Sequence, residues 1–141
     1  MGDIVFKNVG FRYGTRVEVF EDFSTRFQHA KVTAIIGESG SGKSTLVGLT
    51  QKIYPLQKGS IHIGDQNLAY VESRSLRQLI SVVPQHIDLF AGNVIDNIAV
   101  GEYAPDMERI VSICSSIGIL SFIEQLPNGF YTYLGDHGAS L

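Results

Sequence analysis

The sequence of 141 residues predicts an α/β fold, and three observations support this prediction. First, residues 37–45 read Gly-Glu-Ser-Gly-Ser-Gly-Lys-Ser-Thr, which fits the phosphate-binding pattern Gly-x-x-x-x-Gly-Lys-Ser/Thr without a mismatch. Second, an apolar β-branched run at residues 32–36 precedes this loop, and a run with helical apolar spacing follows it at residues 46–53. Third, apolar and polar residues alternate in the N-terminal part, which is typical of antiparallel strands.

The strands of the N-terminal part are predicted from this alternation and from the turn residues between them. Residues 3–9 predict a half-buried strand, and residues 17–28 continue the same pattern after a turn at Gly14. Residues 59–66 predict another short strand followed by a turn. We therefore expect antiparallel β structure with the phosphate-binding loop inserted in it.

The later segments are predicted to become mostly helical. Residues 73–79 predict a short helix, and residues 80–83 predict a buried strand. From residue 93 onward the apolar spacing is helical, with further helices expected at residues 106–117 and 121–125.

Composition limits the classes of protein that fit this chain. At this length we expect one domain at most, or part of one. The net charge of −3, with scattered Lys and Arg, argues against nucleic-acid binding. No apolar run approaches the roughly 20 residues that a membrane span needs. The single Cys114 excludes an internal disulfide, and its apolar surroundings predict a buried small side chain.

The residue types of the loop suit a nucleoside triphosphate with Mg²⁺. Backbone N–H groups of such a loop and of the following helix form an anion site, which Gly40 and Gly42 leave open to phosphate. Lys43 can reach the β- and γ-phosphates, Ser44 can bind Mg²⁺, and Thr45 can bond a phosphate oxygen. The other loop residues expected to contribute, mainly through their backbones, are Glu38, Ser39 and Ser41.

Other candidates keep two interpretations when the residues alone are considered. Tyr13 either stacks on a base or packs on a strand, and packing is the more common role for such a turn aromatic. Val19 either lines the nucleotide or belongs to the core. Gln85 follows Pro84 at a predicted strand end, where functional loops often start. The four histidines lack the spacing of a metal site: His29, His62, His86 and His137.

The order of these segments resembles the ATP-binding cassette domain of ABC exporters. Besides the phosphate loop, the resemblance rests on the aromatic turn at 11–14, the Gln-containing stretch at 82–85 and the exporter-like stretch at 89–98. Two weaker likenesses are at residues 56–65 and in 126–138, where Asp136 replaces the usual Glu. Residues 139–141 reach the first residue of the Leu-Ser-Gly-Gly-Gln signature, so the chain is expected to be the N-terminal part of such a domain.

The resemblance implies a P-loop NTPase core with an antiparallel β subdomain, at residues 1–85, and the start of a helical subdomain, at residues 86–141. It implies that Tyr13 stacks on adenine and that Gln85 touches Mg²⁺ and the attacking water, so that Lys43 and Gln85 are the catalytic candidates. It places Val19 at the adenine or ribose.

The function that the resemblance implies is the ATP-binding part of an exporter that couples ATP binding and hydrolysis to substrate export across a membrane. Its cargo class stays open among peptides, bacteriocins, lipids and drugs. Implied partners are the transmembrane domains and a second ATP-binding domain, with ATP sandwiched between the two. The parent protein is expected at the cytoplasmic face of the cell membrane, while the piece itself is expected to be soluble and inactive alone.

Two other functions stay open at this point. One is a non-transport P-loop protein, such as a small kinase or a switch, although no cluster of lid arginines supports a kinase. The other is a purely nucleotide-binding module. No Asn-Lys-x-Asp guanine motif is present, and no apolar run ending in Asp or Glu offers a second metal ligand.

Overall fold

The structure is a computed structural model that describes residues 2–135. The described residues pack as two units, divided between Val82 and Val83. The sequence-predicted positions Asp136, His137 and 139–141 lie outside the described residues.

The first unit contains a four-stranded antiparallel sheet with the strand order β2-β1-β3-β4. Its strands are β1 (Ile4–Arg12), β2 (Glu18–Phe27), β3 (Lys58–Ile63) and β4 (Gln66–Asn67). The strand predictions at residues 3–9, 17–28 and 59–66 are therefore confirmed. The alternation placed them correctly because one face of this sheet packs on a core, which leaves every second side chain apolar.

The core of the first unit lies between this sheet and the helix α1 (Lys43–Thr50). Phe6 and Val9 from β1 are buried together with Leu46 and Leu49 from α1. Phe6 also meets the ring of Phe23 edge to face, with centroids 6.1 Å apart. Such aromatic pairs add about 0.5–1.5 kcal/mol to the burial of their area. These side chains of α1 follow the phosphate-binding loop closely in sequence, and they pack the helix onto the sheet.

Helix α1 begins and ends three residues earlier than predicted, and a left-handed residue after it explains where it ends. Lys52 takes a left-handed conformation with φ of 56°, and the N–H of Ile53 bonds the carbonyl of Gly48 at 3.0 Å. The N–H of Lys52 bonds the carbonyl of Leu49 at 3.1 Å. This pair of bonds is the Schellman arrangement, usually built on glycine. A second helix, α2 (Ser73–Leu79), has the predicted bounds.

Two predicted strands are not formed. Residues 32–36 have no regular secondary structure, and Val32 and Ile36 are 103% and 94% exposed. Residues 80–83 likewise lack a strand, and Val83 is exposed. Both predictions are wrong for this chain, because a strand needs a hydrogen-bonded neighbour and no strand of the described part pairs with either run.

The second unit is small and mostly helical, as predicted from residue 93 onward. Its elements are β5 (Gly92–Asn93), α3 (Val94–Ile98), α4 (Met107–Ser116), α5 (Leu120–Glu124) and β6 (Tyr133–Leu134). Asp106 caps the N-terminus of α4, and its side chain accepts from the N–H of Arg109 at 3.1 Å. Cys114 is free and buried in this core, beside Ile110 and Ile123, as predicted. Within residues 2–135, none of the helices has the length and apolar character needed to cross a membrane.

The pairing of β1 with β3 depends on Gly59. This residue has φ of 82°, and a Cβ on it would lie 2.3 Å from the carbonyl oxygen of Asn8 and 2.4 Å from that of Lys7. Asn8 itself is left-handed and forms a bulge, held by a 2.7 Å bond from its side-chain amide to Asp22. The two backbones therefore meet at a point where only glycine fits.

We expect Gly59→Ala to destabilise the protein by at least about 3 kcal/mol, because the left-handed backbone costs about 1–2 kcal/mol and the strands must also separate. Gly101→Ala is the matched control, since Gly101 has φ of 83° and nothing lies within 4 Å of its Cβ position. The free energy of unfolding of that variant should fall by only about 1–2 kcal/mol, the cost of a left-handed backbone at alanine. Urea denaturation measures both, and equal losses would show that the approach to β1 is unimportant.

The start of the chain is fastened to the sheet through Asp3. Its carboxylate accepts from the backbone N–H of His29 at 2.7 Å and forms an ion pair with Arg26. Its carbonyl accepts from the N–H of Gly64 at 2.9 Å. The bond from His29 and then the bond from Arg26 lower the pKa of Asp3 below its ordinary value of 3.8.

A lowered folded-state pKa means that the charged carboxylate stabilises the fold at pH values above 3.8. That contribution is lost as the pH falls below 3.8 and through the folded-state pKa. We therefore expect Asp3→Asn to melt at a lower temperature than the parent chain at pH 7, with a difference that shrinks below pH 3.8. Asp65→Asn, which removes an exposed carboxylate, is the control. A difference independent of pH would contradict the ionic origin of the effect.

Candidate functional site

The candidate site is the loop at residues 37–45, which leads into the first turn of α1. Gly40 and Gly42 have φ of 84° and 90°, a backbone region that other residues rarely adopt. A Cβ on Gly42 would lie 2.8 Å from the ring of Phe20, so the loop closes directly against β2. Nothing lies within 4 Å of the Cβ position of Gly40. The two glycines thus have different roles, one in contact with the sheet and one facing open space.

Lys43 is bound to the loop that precedes it. Its Nζ donates to the carbonyl oxygens of Gly37 at 2.8 Å and Glu38 at 2.6 Å, and to Oγ of Ser41 at 3.3 Å. The ammonium therefore lies inside the curve of the loop. A positive charge at this place, next to the N-terminus of an eight-residue helix, favours a bound anion.

Ser44 and Thr45 differ sharply in exposure. Ser44 is exposed on the first turn of α1, where its hydroxyl oxygen is accessible to a hard cation. Thr45 is only 5% exposed, and its hydroxyl lies 2.9 Å from the hydroxyl of Tyr13. Tyr13 directly follows β1 and is half-buried. Its hydroxyl therefore contacts α1, the helix that begins with Lys43.

Val19 belongs to the core and also borders the glycine loop. It packs against the core of the first unit, and its Cγ1 lies 2.9 Å from the Cβ position of Gly42. It therefore borders the phosphate-binding loop while belonging to the core, and its contact with adenine or ribose stays a prediction.

Gln85 belongs to the second unit and is exposed in a segment without regular structure. The predicted strand that was to end before it is not formed. Its contact with Mg²⁺ stays a prediction. Within the described residues, no three His, Cys, Asp or Glu side chains come together in a way that could hold a metal ion.

One residue of this region, Tyr54, was missed by the sequence analysis. Its ring lies 5.1 Å from that of Tyr13, centroid to centroid, at 88°. The charge of the neighbouring Tyr13 raises the pKa of Tyr54 above its ordinary value. In the sequence, Tyr54 is only a tyrosine that shortly follows the predicted helix, and this position alone indicates no function.

Comparison with known proteins assigns this arrangement to a family. The family model described as ABC transporter matches residues 20–133. The chain belongs to the ABC transporter family. This match covers the glycine loop and α1, and it disfavours the kinase and switch alternatives.

Individual relatives agree with the family match. ABC transporter B family member 17 of Arabidopsis thaliana is 41% identical over 144 residues, which is 99% of this chain and 12% of that protein. ABC transporter B family member 2 of Dictyostelium discoideum is 32% identical over 142 residues, 99% of this chain and 10% of that protein. The chain therefore spans about one-eighth or less of these two relatives.

A solved structure described as a bacterial Atm1-family ABC exporter with ATP bound matches with a TM-score of 0.92. It is 33% identical, and the match covers 99% of this chain and 25% of that one. The predicted fold class, a P-loop NTPase core with antiparallel β structure and the beginning of a helical part, is thereby confirmed.

Proposed function

We propose that this chain is the ATP-binding part of an ABC exporter, which couples ATP binding and hydrolysis to the movement of a substrate across a membrane. The observation that carries the proposal is the position of the Lys43 ammonium inside the loop, beside the start of α1. The names of the relatives, and the exporter with ATP bound among the solved structures, support it. The cargo is outside the proposal, although peptides, bacteriocins and lipids fit this class.

The residues of the loop would share the binding of ATP. Lys43 would exchange its bonds to Gly37 and Glu38 for bonds to the β- and γ-phosphates. Tyr13 would stack on the adenine, with Val19 beside it. The other residues proposed to contact the nucleotide are Glu38, Ser39, Gly40, Ser41, Gly42, Ser44 and Thr45.

Ser44 and Gln85 fit Mg²⁺ by their donor chemistry, because both offer neutral oxygens and this ion prefers oxygen ligands. Bound there, the ion would neutralise charge on the β- and γ-phosphates. Lys43 would add a second positive charge to the same phosphates. Gln85 would orient the attacking water through its amide group.

The partners of the parent protein follow from the same proposal. An exporter needs transmembrane domains, and ATP would lie between this domain and a second ATP-binding domain. The site would then face the cytoplasm at the membrane surface.

Binding of MgATP should raise the melting temperature of the chain, because a ligand that binds only the folded state stabilises it by mass action. At roughly 100 times its dissociation constant the gain is about 2.7 kcal/mol. Lys43→Ala should remove most of the shift. Lys7→Ala, which deletes an exposed lysine of β1, should keep it. An unchanged melting curve of the parent chain at millimolar MgATP would overturn the proposal.

We also expect the chain alone to bind ATP without sustained hydrolysis. Hydrolysis needs both a positioned water and neutralised phosphate charge. Lys43 and Ser44 serve the second need, whereas in the family the site is completed by the signature of a second domain. A steady-state phosphate-release assay, with Lys43→Ala to reveal contamination, tests this. Lys43-dependent turnover at about 1 per second or more, a typical enzymatic rate, would contradict it.

A further inference from the structure

Three aromatic rings pack together beside the buried hydroxyl of Thr45. The centroids of Phe11 and Tyr13 are 4.9 Å apart at 85°, and those of Tyr13 and Tyr54 are 5.1 Å apart at 88°. Phe11 and Tyr54 complete the group at 5.7 Å. Edge-to-face geometry of this kind is the favoured one for aromatic pairs. The Tyr13 ring is therefore in edge-to-face contact with two other rings.

The position of Tyr54 follows from the way α1 ends. The left-handed Lys52 reverses the chain, so that Tyr54 returns onto the helix. Its ring lies directly on Gly48, where a Cβ would be only 2.8 Å from Cε2 of the ring. Gly48 is three residues after Thr45, so both lie on the same face of the helix. This face meets the two tyrosines.

The backbone next to Tyr13 is fixed independently. The side-chain amide of Gln57 accepts from the N–H of Arg12 and donates to its carbonyl, both at 2.9 Å. The N–H of Arg16 closes the following turn on the carbonyl of Tyr13 at 3.0 Å. Since this main chain is held, the direction of the Tyr13 side chain depends on its ring neighbours.

The hydroxyl of Thr45 can serve two partners at once. A threonine hydroxyl donates one proton and can accept others. If Tyr13 donates across the 2.9 Å contact, the proton of Thr45 is free for a phosphate oxygen. A hydroxyl fixed in this way before binding loses less freedom when the nucleotide arrives.

We propose that Tyr54 is a positioning residue of the nucleotide site, which holds the Tyr13 ring so that the Tyr13 hydroxyl orients the Thr45 hydroxyl toward the bound phosphates. This inference rests on the proposed ATP-binding function. It gives Tyr13 a second role, carried by its hydroxyl, beside the stacking expected of its ring.

The first test measures the dissociation constant of MgATP by calorimetric titration of the whole chain. Tyr54→Leu should weaken binding about 2-fold to 10-fold, the range expected for loss of one aromatic pair. Tyr54→Phe keeps the ring and should bind like the parent. Gly48→Ala, which forces the Tyr54 ring outward without changing either tyrosine, should weaken binding in the same direction. Tyr54→Leu with parental affinity would overturn the inference.

A double-mutant cycle separates positioning from a general loss of stability. In a Tyr13→Ala background, Tyr54→Leu should have no further effect on the dissociation constant of MgATP. In a Thr45→Val background, Tyr13→Phe should likewise cost nothing, because the hydroxyl it removes has no partner there. Undiminished losses in either background would refute the pathway through Tyr13 and Thr45.

The outcome is distinguishable from failure of the proposed function itself. If the parent chain binds MgATP and Lys43→Ala does not, the ATP site is supported whatever the affinity of the Tyr54 variants. If the parent chain is folded by its melting curve but does not bind MgATP, the proposed ATP-binding function itself is wrong. Melting curves of each variant without nucleotide confirm that the compared proteins are folded.

Discussion

The contact between Gly42 and β2 is the constraint on which the rest of the first unit depends. A Cβ at this position would lie 2.8 Å from Phe20 and 2.9 Å from Val19, so the loop can close on the sheet only through a glycine. Helix α1 begins at that contact. Lys43 is consequently the first residue of α1, and Leu46, less than one turn later, is already buried in the core. The position of the phosphate-binding loop is thus a consequence of core packing.

Thr45 connects this packing to the chemistry of the site. A buried hydroxyl without a partner costs about 1–3 kcal/mol, and the hydroxyl of Tyr13 removes that penalty. The same atom is the one predicted to meet phosphate. If Thr45 binds phosphate as predicted, the stability of the helix start and the affinity for the nucleotide share one hydrogen bond, and a substitution at Tyr13 acts on both.

The sequence was most informative where a pattern is local. Helix α2 has the predicted bounds of Ser73–Leu79, and the glycine loop was found from its spacing alone. Tyr54 was missed because its contact with Tyr13 depends on a left-handed Lys52, and a lysine gives no sequence signal for that conformation. Val19 was left between core and site, and the structure shows that it packs on the core and borders Gly42, while its contact with a nucleotide stays a prediction.

The strand predicted at residues 32–36 failed for a different reason. Its apolar, β-branched composition suits a strand buried on both faces, but such a strand forms only against neighbours, and the described sheet pairs none with it. With Ile36 exposed, the loop is fixed by its contact with β2 and by α1, and the run directly before it forms no strand. The bonds from Lys43 to Gly37 and Glu38 then hold the beginning of the loop to its end. Lys43 shapes the loop and also carries the charge that is proposed to attract phosphate, so removing its side chain would affect both the preorganisation and the charge of the proposed site.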